Sequence, residues 1–212
     1  MNDALLIQKP AIAARQLVLL FHGVGASPED LRPLGEALAE RLKDAWVVSV
    51  RSPDASDFGS GWQWFSVRGV DEANRPARVA AAMPRFLQTV RAWQHETGLD
   101  AAATTLIGFS QGAIMSLEAT QLDDTVAGRV IAIAGRFASP PRVAPTRARL
   151  HLIHGADDPV MPLQLSLDAV ARLHGLGAQA TLDSFSGLGH GIDRRVIECV
   201  VERMQGPAVG TT

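Results

Sequence analysis

A single cysteine in the whole chain rules out any intrachain disulfide, so oxidative stapling plays no part in its stability. That residue, Cys199, sits between apolar neighbours in the last helical stretch and reads as a small buried hydrophobe rather than a nucleophile. No basic tract stands out. Lys and Arg total 20 against 22 Asp and Glu, a net charge of −2, which argues against nucleic acid as the main partner. No apolar run approaches the roughly 18 residues of a membrane span, so no stable membrane association is expected. The opening Met-Asn-Asp-Ala-Leu-Leu-Ile-Gln-Lys-Pro has no basic start followed by a long apolar core. With no signal peptide visible, a cytoplasmic protein is expected. Internal repeats and linkers are also lacking. What the chain has is 212 residues at 47% hydrophobic content, enough for one domain over 1–212 with a sizeable core and a loose tail at 207–212.

Strand and helix patterns alternate along it. Residues 17–22 (Leu-Val-Leu-Leu-Phe-His) contain an unbroken apolar run, as a strand buried on both faces should. Further strands are expected at 45–50, 104–109, 129–134, 149–154 and 179–185, with a possible edge strand at 5–8. Ser27, Pro28 and Asp30 are a cap, a first-turn proline and an acid that open a helix striped by Leu31, Leu34, Leu38 and Leu42. Val79, Met83, Phe86, Val90 and Trp93 mark a long helix closed by Gly98, with a kink expected at Pro84. Pro162 and Gly175 bracket another, with Leu163, Leu167 and Val170 on one side. Ile192, Val196, Val200 and Met204 stripe the last. This alternation predicts an α/β fold, a mostly parallel central sheet with helices on both faces.

Residues 108–112, Gly-Phe-Ser-Gln-Gly, fall between a short apolar strand and a helix. In that context the Gly-x-Ser-x-Gly turn forces Ser110 into a strained backbone and pushes its hydroxyl out of the fold. A Cβ at Gly108 or Gly112 is expected to collide across the tight turn. The free N–H groups of the following helix favour negative charge at the same spot. Ligands of such sheets bind beyond the carboxyl ends of the strands. There the sequence places His22-Gly23-Val24-Gly25, Ser110, Asp157-Asp158-Pro159 and Gly187-Leu188-Gly189-His190.

A serine hydroxyl needs a base. This elbow is followed in chain order by acid and then histidine, which leaves His174 and His190. His174 ends a helix and can face its dipole. His190 lies in a glycine-flanked loop at a strand's carboxyl end and is the expected base. His22 and His154 end strands and satisfy groups beneath the site, while His95 and His151 show only packing. Asp158 precedes Pro159, which biases it to an extended backbone able to project its carboxylate to a neighbouring loop. Asp157 can instead cap its own turn, and Asp183 is a weaker candidate. For the oxyanion, one N–H should come from Gln111 and the other from Val24 or Gly25.

Phe-His-Gly-Val-Gly, Gly-Phe-Ser-Gln-Gly-Ala, His-Gly-Ala-Asp-Asp-Pro-Val and Leu-Gly-His-Gly-Ile occur in that order. Together they resemble the phospholipase/carboxylesterase family of α/β-hydrolases, which includes acyl-protein thioesterases. The resemblance spans about residues 5–205. Residues 63–66, 107–115 and 135–139 are closer still to a bacterial esterase of that family. The resemblance implies Ser110 as nucleophile, Asp158 as acid and His190 as base, with the backbone N–H groups of Val24 and Gln111 as oxyanion donors. It implies hydrolysis of carboxylic esters of short-to-medium acyl chains, or of thioesters or lysophospholipids through the same residues. No metal and no cofactor is implied. A catalytically inactive ligand-binding protein of the same fold is the contrasting reading. Monomer and homodimer both remain open.

The segment 51–72 departs from larger family members. Trp62, Trp64 and Phe65 crowd three of the chain's four Trp and seven Phe residues into four positions. They either line an acyl pocket or pin the loop to the core. Arg136, after another strand, reads as half of an ion pair before it reads as an anion site. Residues 135–148 are too few to form the helical lid of many lipases, so an open site is expected.

Overall fold

A computed structural model describes residues 4–205, and the tail expected at 207–212 lies outside them. Seven strands form one sheet in the order β1-β3-β2-β6-β7-β8-β9. They are β1 (Ala4–Gln8), β2 (Gln16–Phe21), β3 (Ala45–Val50), β6 (Thr104–Phe109), β7 (Arg129–Ile133), β8 (Arg149–Gly155) and β9 (Ala180–Phe185). Only β1 is antiparallel, added at the edge against β3. A two-residue ribbon, β4 (Asp54–Ala55) with β5 (Trp62–Gln63), lies in the 51–72 connection.

Alternation of side chains along the strands splits the core in two. Leu17, Leu19 and Phe21 of β2 join α2 (Arg75–Thr97), α3 (Gln111–Leu122) and α4 (Gln164–Gly175) on one face. Val18 and Leu20 join α1 (Arg32–Arg41) and α5 (Arg194–Gln205) on the other. The chain runs outward from β2 to β3, then crosses back to β6. The crevice for a ligand in such a sheet lies at the carboxyl ends where the winding reverses, here between β2 and β6. No helix of the described residues is long and apolar enough to cross a membrane. The connection from β7 to β8 carries no helix, as its length predicts.

Several expected boundaries move for local reasons. Ser27 and Pro28 open a short 3-10 turn, Pro28–Leu31, with the Asp30 carboxylate taking the Ser27 N–H at 2.8 Å. Pro33 has no N–H to give Glu29, so the α-helical ladder starts afresh as α1. Ala134 leaves β7 because its φ is 47°. α2 runs unbroken through Pro84. In α4 the predicted face holds at Val170, which packs against the core, and fails at Leu167. Leu167 is 44% exposed, while Ser166, Ala169 and Leu173 are buried. Leucine spacing misled because the inward position belongs to a serine, whose hydroxyl lies 2.8 Å from buried His154.

His151 of β8 is half-buried beside Thr181, its Nδ1 2.7 Å from the hydroxyl. Burial, then the Arg129, Arg203 and Arg149 cations, lower its pKa from 6.5 to about 4 against the pull of Asp183. The folded pKa lies below the unfolded one, so stability is full above 6.5 and is lost as pH falls towards 4. Thermal unfolding at pH 7, 5.5 and 4.5 should show a falling midpoint, and His151→Gln should flatten that slope. His22, lowered chiefly by burial, acts in the same direction and keeps part of the slope.

Candidate active site

Ser110 joins β6 to α3 with φ 51° and ψ −113°, a backbone that costs a non-glycine residue energy. It is held there by its N–H on the Ile133 carbonyl at 2.9 Å. Flanking glycines make the turn possible. A Cβ on Gly108 would meet the Gly112–Ala113 backbone at 2.4 Å, across the turn as expected. At Gly112 the obstacle is different: the Cβ would lie 2.1 Å from the Phe21 carbonyl oxygen of β2. Neither the central strand nor the helix start can yield cheaply. Gly112→Ala is therefore expected to cost about 3 kcal/mol or more, read as a lower denaturant midpoint.

Beside Ser110, the His190 Nε2 lies 3.0 Å from its Oγ. The same imidazole places Nδ1 2.7 Å from Oδ2 of Asp158. A carboxylate accepts, so Nδ1 carries hydrogen and Nε2 turns a lone pair to the serine. The Asp158 side chain has no solvent exposure, and His190 has 17%. Burial pushes the Asp158 carboxyl up, but the Met161 N–H, the His190 imidazole and the Val160 N–H together hold it below the usual carboxylate range. Those two N–H groups reach Oδ1 at 2.9 and 2.8 Å. Phe109 packs its ring 5.1 Å from that of His190.

Asp157 does not cap its own turn through its side chain. Its Oδ2 accepts the Gly187 N–H at 2.7 Å and its own N–H reaches the Leu188 carbonyl, so it ties the loop of Asp158 to the loop of His190. Asp183 is paired with Arg203 in a two-bond contact. His174 bonds the Ala180 carbonyl, not merely its own helix end. Cys199 is buried, and its thiol is pushed up to about 11, chiefly by burial.

The loop after β2 folds over the same spot. Gly25 gives its N–H to the Trp62 carbonyl at 2.9 Å, so of the two candidate donors Val24 is the one that this bond leaves aside. Trp62 in turn gives its N–H to Ala26. His22, buried beneath, holds the loop from below, with Nδ1 donating to the Gly23 carbonyl at 2.7 Å and Nε2 accepting the Ser52 N–H at 3.1 Å. Gln111 is the first residue of α3, where a backbone N–H has no intrahelical acceptor.

The Gln111 side chain has a task that sequence reasoning missed. It is buried, accepts the Trp64 N–H at 2.7 Å and donates to the Phe65 carbonyl at 2.8 Å. A long amide directly after Ser110 was the only available signal. With that clamp, Trp64 belongs to the core: it is 2% exposed and packs edge-on to Phe21 and Phe86, at 5.9 and 4.9 Å. Phe65 is buried with it. Pocket lining therefore fails for Trp64, whose ring fills space between β2 and α2. Trp62 stays partly exposed, with the Arg51 guanidinium 3.7 Å over its ring. Arg136 makes a two-bond ion pair with Glu72 at 2.8 and 2.7 Å. Among the described residues no group of His, Cys, Asp and Glu could hold a metal ion.

With this geometry in view, the relatives of the chain are informative. Esterase YpfH of Escherichia coli K12 is 46% identical over 204 residues, which is 96% of this chain and 88% of the relative. Acyl-protein thioesterase 1 of Kluyveromyces lactis is 27% identical over 184 residues, 79% of this chain and 80% of that protein. Among solved structures, esterase PE8 superposes with a TM-score of 0.85 at 30% identity, covering 93% of this chain and 95% of its own. The phospholipase/carboxylesterase family model matches residues 2–205, and the chain belongs to that family of α/β-hydrolases.

Proposed function

We propose that the chain is a serine carboxylesterase working through an acyl-enzyme on Ser110. The observation that carries this reading is one imidazole bridging a hydroxyl at 3.0 Å and a buried carboxylate at 2.7 Å. Ser110 Oγ attacks the ester carbonyl while His190 Nε2 takes its proton. Asp158 stabilises the imidazolium so formed. The oxyanion is received by the N–H groups of Val24 and Gln111. His190 then protonates the leaving alcohol, and the acyl-enzyme is left. In the second half His190 takes a proton from water, the hydroxide attacks the acyl carbon, and the acid leaves as Ser110 regains its proton. All bonds made and broken lie in substrate, water, Ser110 and the Nε2–H of His190, so no cofactor is called for.

Labelling of Ser110 by a fluorophosphonate tests the reading directly. A folded protein that never labels would instead be the ligand-binding protein of the same fold. A second reading, acyl thioesterase action, is favoured by the similarity to acyl-protein thioesterase 1. The absence of a helix between β7 and β8 leaves room for an acyl group carried on a larger molecule. Rates on matched oxygen and sulfur esters from acetyl to palmitoyl separate the two.

A further inference from the structure

We propose that His154 is a positioning residue of this site, acting on Ser110 and His190 only through Asp158. The inference rests on the serine-hydrolase reading above. His154 is 1% exposed at the end of β8, with both ring nitrogens engaged. Nε2 lies 2.7 Å from the Met161 carbonyl, which can only accept, so Nε2 carries hydrogen. Nδ1 lies 2.8 Å from the hydroxyl of Ser166, itself buried in α4. Met161, whose carbonyl His154 grips, is joined to the acid as well: the N–H groups of Met161 and Val160 both end on Asp158 Oδ1. The same Nε2 stands 3.3 Å from Asp158 Oδ2, the oxygen that accepts from His190.

Asp158 is thus held at Oδ1, and faced at Oδ2, by a structure that begins in α4. Ser166 orients His154, His154 anchors residues 160–161, and those residues aim the carboxylate. The positive edge of the His154 ring also faces Oδ2, where negative charge must be kept close to His190. The hydroxyl at 166 and the imidazole at 154 are both buried. A buried serine and histidine could merely satisfy each other, but a merely structural pair would not link the Met161 carbonyl to a side chain 3.3 Å from the acid.

Three variants test this, read by kcat, KM and the downfield proton resonance of the His190–Asp158 hydrogen bond. His154→Leu keeps apolar volume but removes the donor to Met161. It should lower kcat about a hundredfold, as a small misplacement of catalytic groups does, and should shift or erase the resonance. KM should stay within about twofold, because substrate is not touched. His154→Gln can still offer an N–H to Met161 and should recover at least about tenfold of the loss. Ser166→Ala removes one hydroxyl and should lower kcat about three- to tenfold with the resonance shifted.

Wild-type kcat with an unmoved resonance in the folded variants overturns the proposal. So does a loss confined to KM, or a Gln variant no better than Leu. Should the Leu variant not fold, His154→Gln and Ser166→Ala are compared with wild type by the same readings, and wild-type behaviour in both is equally fatal. The underlying reading fails separately: Ser110→Ala at the wild-type rate removes it whatever position 154 does. An inactive Ser110→Ala beside wild-type variants at 154 and 166 removes only the role of His154.

Discussion

Ser110→Ala should lower kcat for an activated ester by about a millionfold and leave the fold in place. The size follows from the chemistry. Alanine offers no atom that can bond the acyl carbon, so the two-step route closes and only direct attack by water remains. What survives is the stabilisation of the oxyanion by the N–H groups of Val24 and Gln111 together with substrate binding, a residue of about a thousand- to ten-thousandfold over water. The fold survives because, among the described residues, the hydroxyl makes no hydrogen bond beyond the one to His190 at 3.0 Å. The Ser110 N–H on the Ile133 carbonyl is a backbone bond that alanine keeps. Alanine also tolerates φ 51° about as poorly as serine, so the turn's strain is unchanged. KM should move little. Turnover of p-nitrophenyl esters beside a thermal melt checks both halves, and near-wild-type turnover with contamination excluded would take Ser110 out of the mechanism.

How much of this was readable beforehand depends on the kind of signal. The strands at 45–50 and 104–109 are as predicted, since short runs rich in β-branched and apolar residues between turns suit a strand buried on both faces. The convergence of positions 110, 158 and 190 followed from strand order, because every loop at a carboxyl end reaches the same rim. What escaped was decided by tertiary partners. Ser166 faces inward for the sake of His154, against the leucine stripe of its own helix. The bond of Asp157 to Gly187 spans 30 residues, and no local rule sees it. Trp64 could be core or pocket on sequence grounds, and the Gln111 amide that draws its backbone inward is separated from it by 47 positions. The hydrogen bond that engages the Gly25 N–H with the Trp62 carbonyl is likewise invisible in the sequence.

Replacing the acid by its own amide is the sharpest test of the geometry. Asp158→Asn should lower kcat/KM at neutral pH by about ten-thousandfold, while Asp157→Asn should stay within about threefold. The asymmetry comes from which atoms face the carboxylate. Oδ1 of Asp158 receives two backbone N–H groups, from Val160 and Met161, so an amide at 158 must turn its oxygen to that side. Its NH2 then occupies the place of Oδ2, 2.7 Å from the His190 Nδ1. Two donors cannot face each other, so Nδ1 gives up its hydrogen and Nε2 keeps one. Nε2 then points an N–H at the Ser110 hydroxyl, where a lone pair is required, and the base is lost without any heavy atom having moved. Flipping the amide back would turn its oxygen to the His154 Nε2–H, 3.3 Å from that position, but would set its NH2 against two backbone N–H donors, which outweigh it. At Asp157 a single N–H, from Gly187, meets one oxygen, and asparagine retains an oxygen that can accept it. Steady-state rates of both variants at pH 7 decide the matter, and a greater loss at 157 than at 158 would transfer the acid's role to the neighbouring carboxylate.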